Sequence, residues 1–208
     1  SSAELVAAML EGGEVVPELR DLIVNRAAGN PLFMEEFTHT LIENGSIKRA
    51  DSQYVLTRAP ADIDVPDTIQ GIIAARMDRL EENLKRTMQV AAVIGRDFAF
   101  RLLKNMMEMG DELRAHLTNL VGLEILYEKT LYPELEYIFK HALTQEIAYE
   151  SLLKQRRKEL HGRIAQTIEE IYSNHLEAHY ELLAYHYERS GNKKNAIHYL
   201  VLAGKKSN

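Results

Sequence analysis

His175 and His179 stand four residues apart, the spacing at which two imidazoles on one helical face can share a metal ion. A zinc hydrolase built on such a pair needs its glutamate directly after the first histidine, whereas Glu177 comes two residues later. His186 lies nearly two turns further along and supplies no third ligand, so these histidines read as surface or packing groups and no metal is expected. The carboxylate pairs Glu35-Glu36, Glu81-Glu82 and Glu169-Glu170 are adjacent in sequence. They diverge on a helix and cannot face one substrate as acid and base, so solvated positions are expected for them. A Gly-x-Ser-x-Gly elbow is absent, and so is a Gly-x-x-x-x-Gly-Lys-Ser/Thr phosphate loop. Gly204-Lys205-Lys206-Ser207 has the ending of that loop but lacks its first glycine and a preceding strand. No catalytic residue is expected in this segment.

The composition narrows the classes further. The 208 residues carry a formal charge of -6 with 46% hydrophobic and 27% charged residues, enough apolar material for two or three small helical units. An acidic balance disfavours coating nucleic acid or an anionic membrane. The absence of cysteine excludes disulfides and thiolate chemistry here. No apolar run reaches the ~20 residues of a membrane helix, so a cytoplasmic location without membrane contact is expected. The chain reads as a segment of a longer protein.

Apolar spacing then orders the elements. Residues 3–10, 17–28 and 31–44 read as three helices, the last carrying Phe33, Phe37 and Leu41 on one face and stopping at Asn44-Gly45. Residues 46–58 alternate and are β-branched, predicting a small hairpin, and 59–66 form a connector with two prolines. Asp67 is predicted to cap the next helix, with Gln70 closing a capping box. Helices over 67–80, 84–94, 98–107 and 111–122 precede two strand-like runs, 124–128 and 135–139, which is the order of a winged helix. Helices follow at 141–153 and 157–172. From Glu177, the residues Tyr180, Leu183, Ala184, Tyr187, Gly191, Ala196, Leu200 and Ala203 fall on the spacing of a tetratricopeptide repeat. The expected fold is mainly α: a helical lid over 1–44, a β-hairpin and linker over 45–66, a winged-helix domain with a two-stranded wing over 67–153, and a helical connector with a first repeat-like hairpin over 154–208. One repeat cannot bury its own face, so further repeats are expected in the parent protein.

A winged helix raises DNA binding, and a transcriptional regulator is the alternative function. Its reading helix would expose Asp111, Glu112, Arg114, His116, Thr118 and Asn119, and its wing Glu128, Glu134 and Glu136, too acidic a set to neutralise phosphates. The basic run Lys154-Gln155-Arg156-Arg157-Lys158 reads as a solvated face or a partner contact rather than a nucleic-acid site.

Five short stretches in order resemble the signal-transduction ATPases with numerous domains, the STAND class, most of all those attached to adenylate/guanylate cyclases and to LuxR-type regulators. They are Gly29-Asn30-Pro31-Leu32-Phe33 with Glu35-Glu36; Val65-Pro66-Asp67-Thr68-Ile69 followed by Ala75-Arg76-Met77-Asp78-Arg79-Leu80; Ala91-Ala92-Val93-Ile94-Gly95-Arg96; Phe139-Lys140-His141-Ala142-Leu143; and Ala148-Tyr149-Glu150-Ser151-Leu152. The resemblance implies that residues 1–44 end the lid of an ATPase whose phosphate loop lies upstream. It implies a nucleotide-binding role for Gly29, Asn30 and Pro31, with Pro31 near the adenine, and phosphate sensing by His141, although related ATPases carry an aspartate where this chain has Ala142. ATP or ADP would then be the cofactor of the full-length protein, with none tightly bound to this segment. The upstream ATPase core would be one partner, and a protein or small ligand on the repeat region another. Function would be regulatory: coupling nucleotide state to an output domain such as a nucleotide cyclase.

Overall fold

The computed structural model describes residues 2–10, 14–107, 109–110, 112–130 and 134–206. Helices account for 69% of the structure and strands for 11%, so the fold is mainly α. The chain divides into two units at Arg79/Leu80.

The first unit holds α1 (Ser2–Met9), β1 (Glu14–Val15), α2 (Pro17–Ala27), α3 (Pro31–Glu43), β2 (Ile47–Ala50), β3 (Gln53–Leu56) and α4 (Ile69–Asp78). Pro17 and Pro31 each open a helix at its first turn, where a missing N–H costs nothing. Phe33, Phe37 and Leu41 recur at a spacing of four, and all three are buried with Leu19, Ile23, Ile47 and Ile72 in one core. The 59–66 connector does not divide the units. Its Ile63 and Val65 are buried in the same core, and α4 packs on α3. The predicted hairpin forms between β2 and β3, turning at Asp51 with a φ of 53°. It gains a parallel third strand, β1, through the pairs Glu14 with Gln53 and Val15 with Tyr54.

Asp67 is not the cap of α4. Thr68 holds that position, its hydroxyl accepting from the Gly71 N–H at 3.1 Å, while the Asp67 carboxylate accepts from Arg26. Both residues suit an N-cap, and the competing guanidinium decides between them.

The second unit holds α5 (Glu82–Ile94), β4 (Asp97–Ala99), α6 (Phe100–Met107), α7 (Glu112–Gly122), β5 (Leu126–Thr130), β6 (Glu136–Phe139), α8 (Ala142–Glu150), α9 (Lys154–Ile171), α10 (Tyr180–Ser190) and α11 (Lys193–Lys206). The predicted wing is β5 and β6, and residues 97–99, of which 98 and 99 are read from the sequence as the start of a helix, instead add a third strand in the order β4-β6-β5. Phe98 explains the difference: extended backbone lets it stack on Tyr137 of β6, ring centroids 5.9 Å apart, inside the core with Phe139. The expected start of α7 at Asp111 and most of the wing turn, 131–133, lie outside the described residues. Downstream, Gly191 ends α10 in the left-handed region at a φ of 87°, and α11 packs back on α10, with Tyr187 stacked on Tyr199 and Leu183, Ala184 and Ala196 buried. Glu169 of α9 accepts from the Tyr187 hydroxyl at 2.8 Å and from the Tyr199 hydroxyl, tying this pair to its neighbour.

Candidate functional site

Gly29, Asn30 and Pro31 form the junction of α2 and α3. Ala28 leaves α2 with a φ of 47° and Gly29 continues at 83°, two successive left-handed residues that reverse the chain. Such backbone is cheap for Gly29 and strained for Ala28. Asn30 then returns to extended geometry and caps α3, its side-chain oxygen accepting from the Phe33 N–H at 3.2 Å. Residues 28–31 are all exposed, whereas Ala27 before them and Phe33 after them are buried. The result is a knuckle of open backbone and pyrrolidine on an apolar stem.

Further along α3 is a charged cluster that the sequence does not announce. Glu36, expected on a solvated face, is 5% exposed, and it accepts from Arg76 Nη1 of α4. Arg76 also donates to Glu43, from Nη2 at 2.7 Å and from Nε at 3.1 Å, and Arg79 Nη2 reaches Glu43 at 3.1 Å. Burial by itself would lower the affinity of Arg76 for its proton; the two carboxylates outweigh it and hold the guanidinium above its ordinary value. The signal was present as spacing. Glu36 and Glu43 lie two turns apart on one side of α3, and Arg76 and Arg79 one turn apart on α4.

His141 belongs to the second unit. It occupies the N-cap position of α8 in extended geometry, its carbonyl accepting from the Thr144 N–H at 3.1 Å, with no cap hydrogen bond from its ring. Next to it Lys140 pairs with Glu124 and lies 5.5 Å from the centroid of the Tyr127 ring. Gly29, Asn30 and Pro31 are thus brought together in one unit, and His141 is placed at a helix start in the other.

His175 and His179 do not share a regular helical face. Residues Ser173–His179 form a 3-10 segment interrupted at His175, and His179 stacks on Tyr172 at 4.1 Å. Burial pulls the His179 ring below its ordinary pKa, as suits a packing group. The histidine pair that does meet is His161 of α9 with His186 of α10, Nδ1 to Nδ1 at 2.8 Å, both buried. The Tyr149 hydroxyl lies 3.1 Å from His161 Nε2. Burial first, then the nearby Arg189 and Arg157, push His161 down to about 4; burial and His161 push His186 down to about 3. Both rings are neutral at pH 7. His186 Nε2 makes no hydrogen bond of full geometry, though the Ile94 carbonyl lies near enough to favour the protonated ring. Periodicity could have found His161, which follows Leu160 and precedes Ile164 on the buried stripe of α9.

With this geometry in view, the comparisons with known proteins are narrow. A family profile described as Domain of unknown function (DUF8739) matches residues 1–54, the stretch that runs from α1 through β1 to the middle of β3. A protein of Rhizobium meliloti (strain 1021), named Uncharacterized protein R02095, is 24% identical over 195 residues. That match covers 93% of this chain and 18% of the relative, so the chain spans less than a fifth of the length of the curated relative it matches.

Proposed function

We propose that this chain is the regulatory lid, winged-helix and repeat region of a STAND-class signal-transduction ATPase, coupling nucleotide state to an output domain such as a nucleotide cyclase. The observation that carries the reading is the exposed Gly29-Asn30-Pro31 knuckle on its buried stem. An open pyrrolidine, fixed by the Asn30 cap, offers an apolar edge of the kind an adenine ring packs against. The Arg76 cluster joins α3 to α4, so a ligand that moves the knuckle also loads α4. A switch of this kind needs contacts that differ between its two nucleotide states, to which the knuckle would contribute on the adenine side.

The helical pair at the end of the chain supports the repeat reading. Ile197 is 61% exposed, Leu200 57% and Val201 51%, all on α11. A further repeat stacked on α11 would cover them. The alternative, a DNA-reading winged helix, gains no support from charge: Lys129 on the wing is shared between Asp97 and Glu136, at 3.6 Å each.

Calorimetry tests the proposal in two steps. The chain by itself is expected to bind neither ATP nor ADP at micromolar concentrations. In the full-length protein, Pro31→Ala is expected to weaken nucleotide binding about tenfold, roughly 1.4 kcal/mol. Micromolar binding to the isolated chain, or a full-length protein indifferent to the substitution, overturns it.

A further inference from the structure

A cavity of about 250 Å³ opens in the second unit where the end of α8, the start of α9 and the end of α10 meet. Lys154, Arg157 and Lys158 line it from α9 and Arg189 from α10, with Glu150 the one carboxylate. The chain as a whole is acidic at -6, so four cations around one concavity run against its average.

Their pairing is uneven. Arg157 donates to Glu150 at 3.0 Å and is braced over the Tyr149 ring, 4.7 Å from its centroid. Arg189 rests over the Tyr185 ring at 5.2 Å and, among the described residues, has no carboxylate partner; the same holds for Lys154 and Lys158. The rear wall is firm. His161, 1% exposed, is held between the Tyr149 hydroxyl and His186, and its proton affinity is depressed partly by Arg189 and Arg157. Glu150 offsets Arg157 alone, so Arg189, Lys154 and Lys158 leave the concavity with an excess of positive charge.

The start of α9 adds a second, independent anomaly. The N-terminus of an 18-residue helix carries partial positive charge and favours acids in its first turn. Here the first turn has no acid, Leu153 at the cap position gives no side-chain hydrogen bond, and Lys154, Arg157 and Lys158 crowd the same end. Such an arrangement destabilises the free helix and is relieved by an anion.

We propose that this cavity is a binding site for a phosphomonoester dianion, held by Arg157 and Arg189 with Lys154 and Lys158, and backed by Tyr149 and His161. Guanidinium groups give the paired donors that a phosphate's oxygens accept, and the lysines add charge without fixed geometry. The volume is below that of ordinary small-molecule pockets, so it fits the phosphate and a small adjoining group rather than a whole nucleoside. The ligand chemistry is common to a soluble sugar phosphate and to the headgroup of a phosphorylated inositol lipid. Leu153, 80% exposed beside Lys154, is placed to touch an acyl surface in the second case. The site is independent of the nucleotide role proposed for Pro31.

The test is a titration of the chain with inorganic phosphate, with glucose 6-phosphate, and with phosphatidylcholine vesicles with and without phosphatidylinositol 4-phosphate. His161 and Tyr149 ring resonances are followed by NMR. At pH 7.5 phosphate or glucose 6-phosphate is expected to shift both rings, with binding that weakens as salt is added and as the pH falls below the second phosphate pKa of about 6. Arg189→Met is expected to weaken binding about tenfold, and Lys154→Met with Lys158→Met to do the same. All three side chains are exposed, so the fold is kept, which the unchanged His186 resonance would verify. Response to the lipid vesicles alone assigns the dianion to a headgroup and sustains the site; response to inorganic phosphate and glucose 6-phosphate assigns it to a soluble metabolite. No ring shift with any probe up to about 10 mM phosphate, or shifts that the variants leave intact, overturns the proposal. So does binding of a duplex oligonucleotide, titrated as a further probe, without binding of inorganic phosphate, glucose 6-phosphate or vesicle.

Discussion

Each unit buries nitrogen-bearing side chains, and the two do so in opposite ways. Around Arg76 the charge is kept and matched: two carboxylates from α3 satisfy the guanidinium from three of its donors. Around His161 and His186 the charge is given up, and two neutral rings share a hydrogen bond in a space closed by α9 and α10. A guanidinium cannot shed its proton, so its burial demands partners; an imidazole can, so its burial demands only a tautomer that fits. If the Tyr149 hydroxyl donates to His161 Nε2, then His161 donates from Nδ1 to His186, leaving the His186 Nε2 proton directed to the Ile94 carbonyl. The first unit is therefore vulnerable to the loss of one partner, and the second to acid.

The largest expected effect follows from breaking the charged cluster. Arg76→Met strands Glu36 in the core and is expected to cost about 3–5 kcal/mol in denaturant unfolding. Adding Glu36→Leu should recover most of that loss, because the stranded charge and not the missing contact dominates. A loss under about 1 kcal/mol for the single change would mean that water reaches Glu36 and that the two units are not so different.

Acid comes next. Both histidines have folded pKa values depressed below the ordinary 6.5, to about 4 and about 3. Above pH 6.5 neither state binds the proton and stability is flat; below it the unfolded chain takes up protons that the folded one refuses. Stability of the second unit is expected to fall as pH drops from 6.5 towards 3, by roughly 3 kcal/mol or more. Hydrogen exchange of the α10 amides measures it, and His161→Phe with His186→Leu should flatten that slope. A slope unchanged by the double substitution would place the acid sensitivity elsewhere.

The smallest effect concerns the start of α4, the helix that carries Arg76. Thr68→Ala removes a cap and is expected to cost about 1 kcal/mol, while Asp67→Ala changes the melting temperature little, its side chain being 86% exposed. The reverse order would make the Arg26 pairing, and not the cap, what holds α4 in place for the charged cluster.

Much of the fold was legible because its signals are local. Pro17 and Pro31 open helices, Gly45 and Gly191 close them, and the spacing of Phe33, Phe37 and Leu41 names the face that is buried. Asp67 shows where local signals stop: it and Thr68 are both good caps, and Arg26, 41 residues away, decides. Phe98 and Ala99 failed likewise, since a strand that exists through its pairing with β6 has no period of its own. At the site, Gly29, Asn30 and Pro31 were readable from type and order. Glu36 was misread because an acid on an apolar face looks solvated until its cation is known, and that cation comes 40 residues later. His161 has no local signal of its role, since its partner His186 comes 25 residues later on another helix, whereas His175 and His179 carry a metal-like spacing that the structure does not use.

The parallel pairing of β1 with β3 has a consequence for the order in which the chain is made. Helices α1 to α3 rest on neighbours close in sequence and can assemble as they leave the ribosome. Glu14 and Val15 cannot, since their partners Gln53 and Tyr54 are translated 39 residues later. Until then β1 is an unpaired edge beside a half-made core, the kind of surface that recruits a second nascent chain. Synthesis of the β2–β3 hairpin is thus the step that pairs β1, and the core of the first unit is completed only when Ile63, Val65 and Ile72 follow.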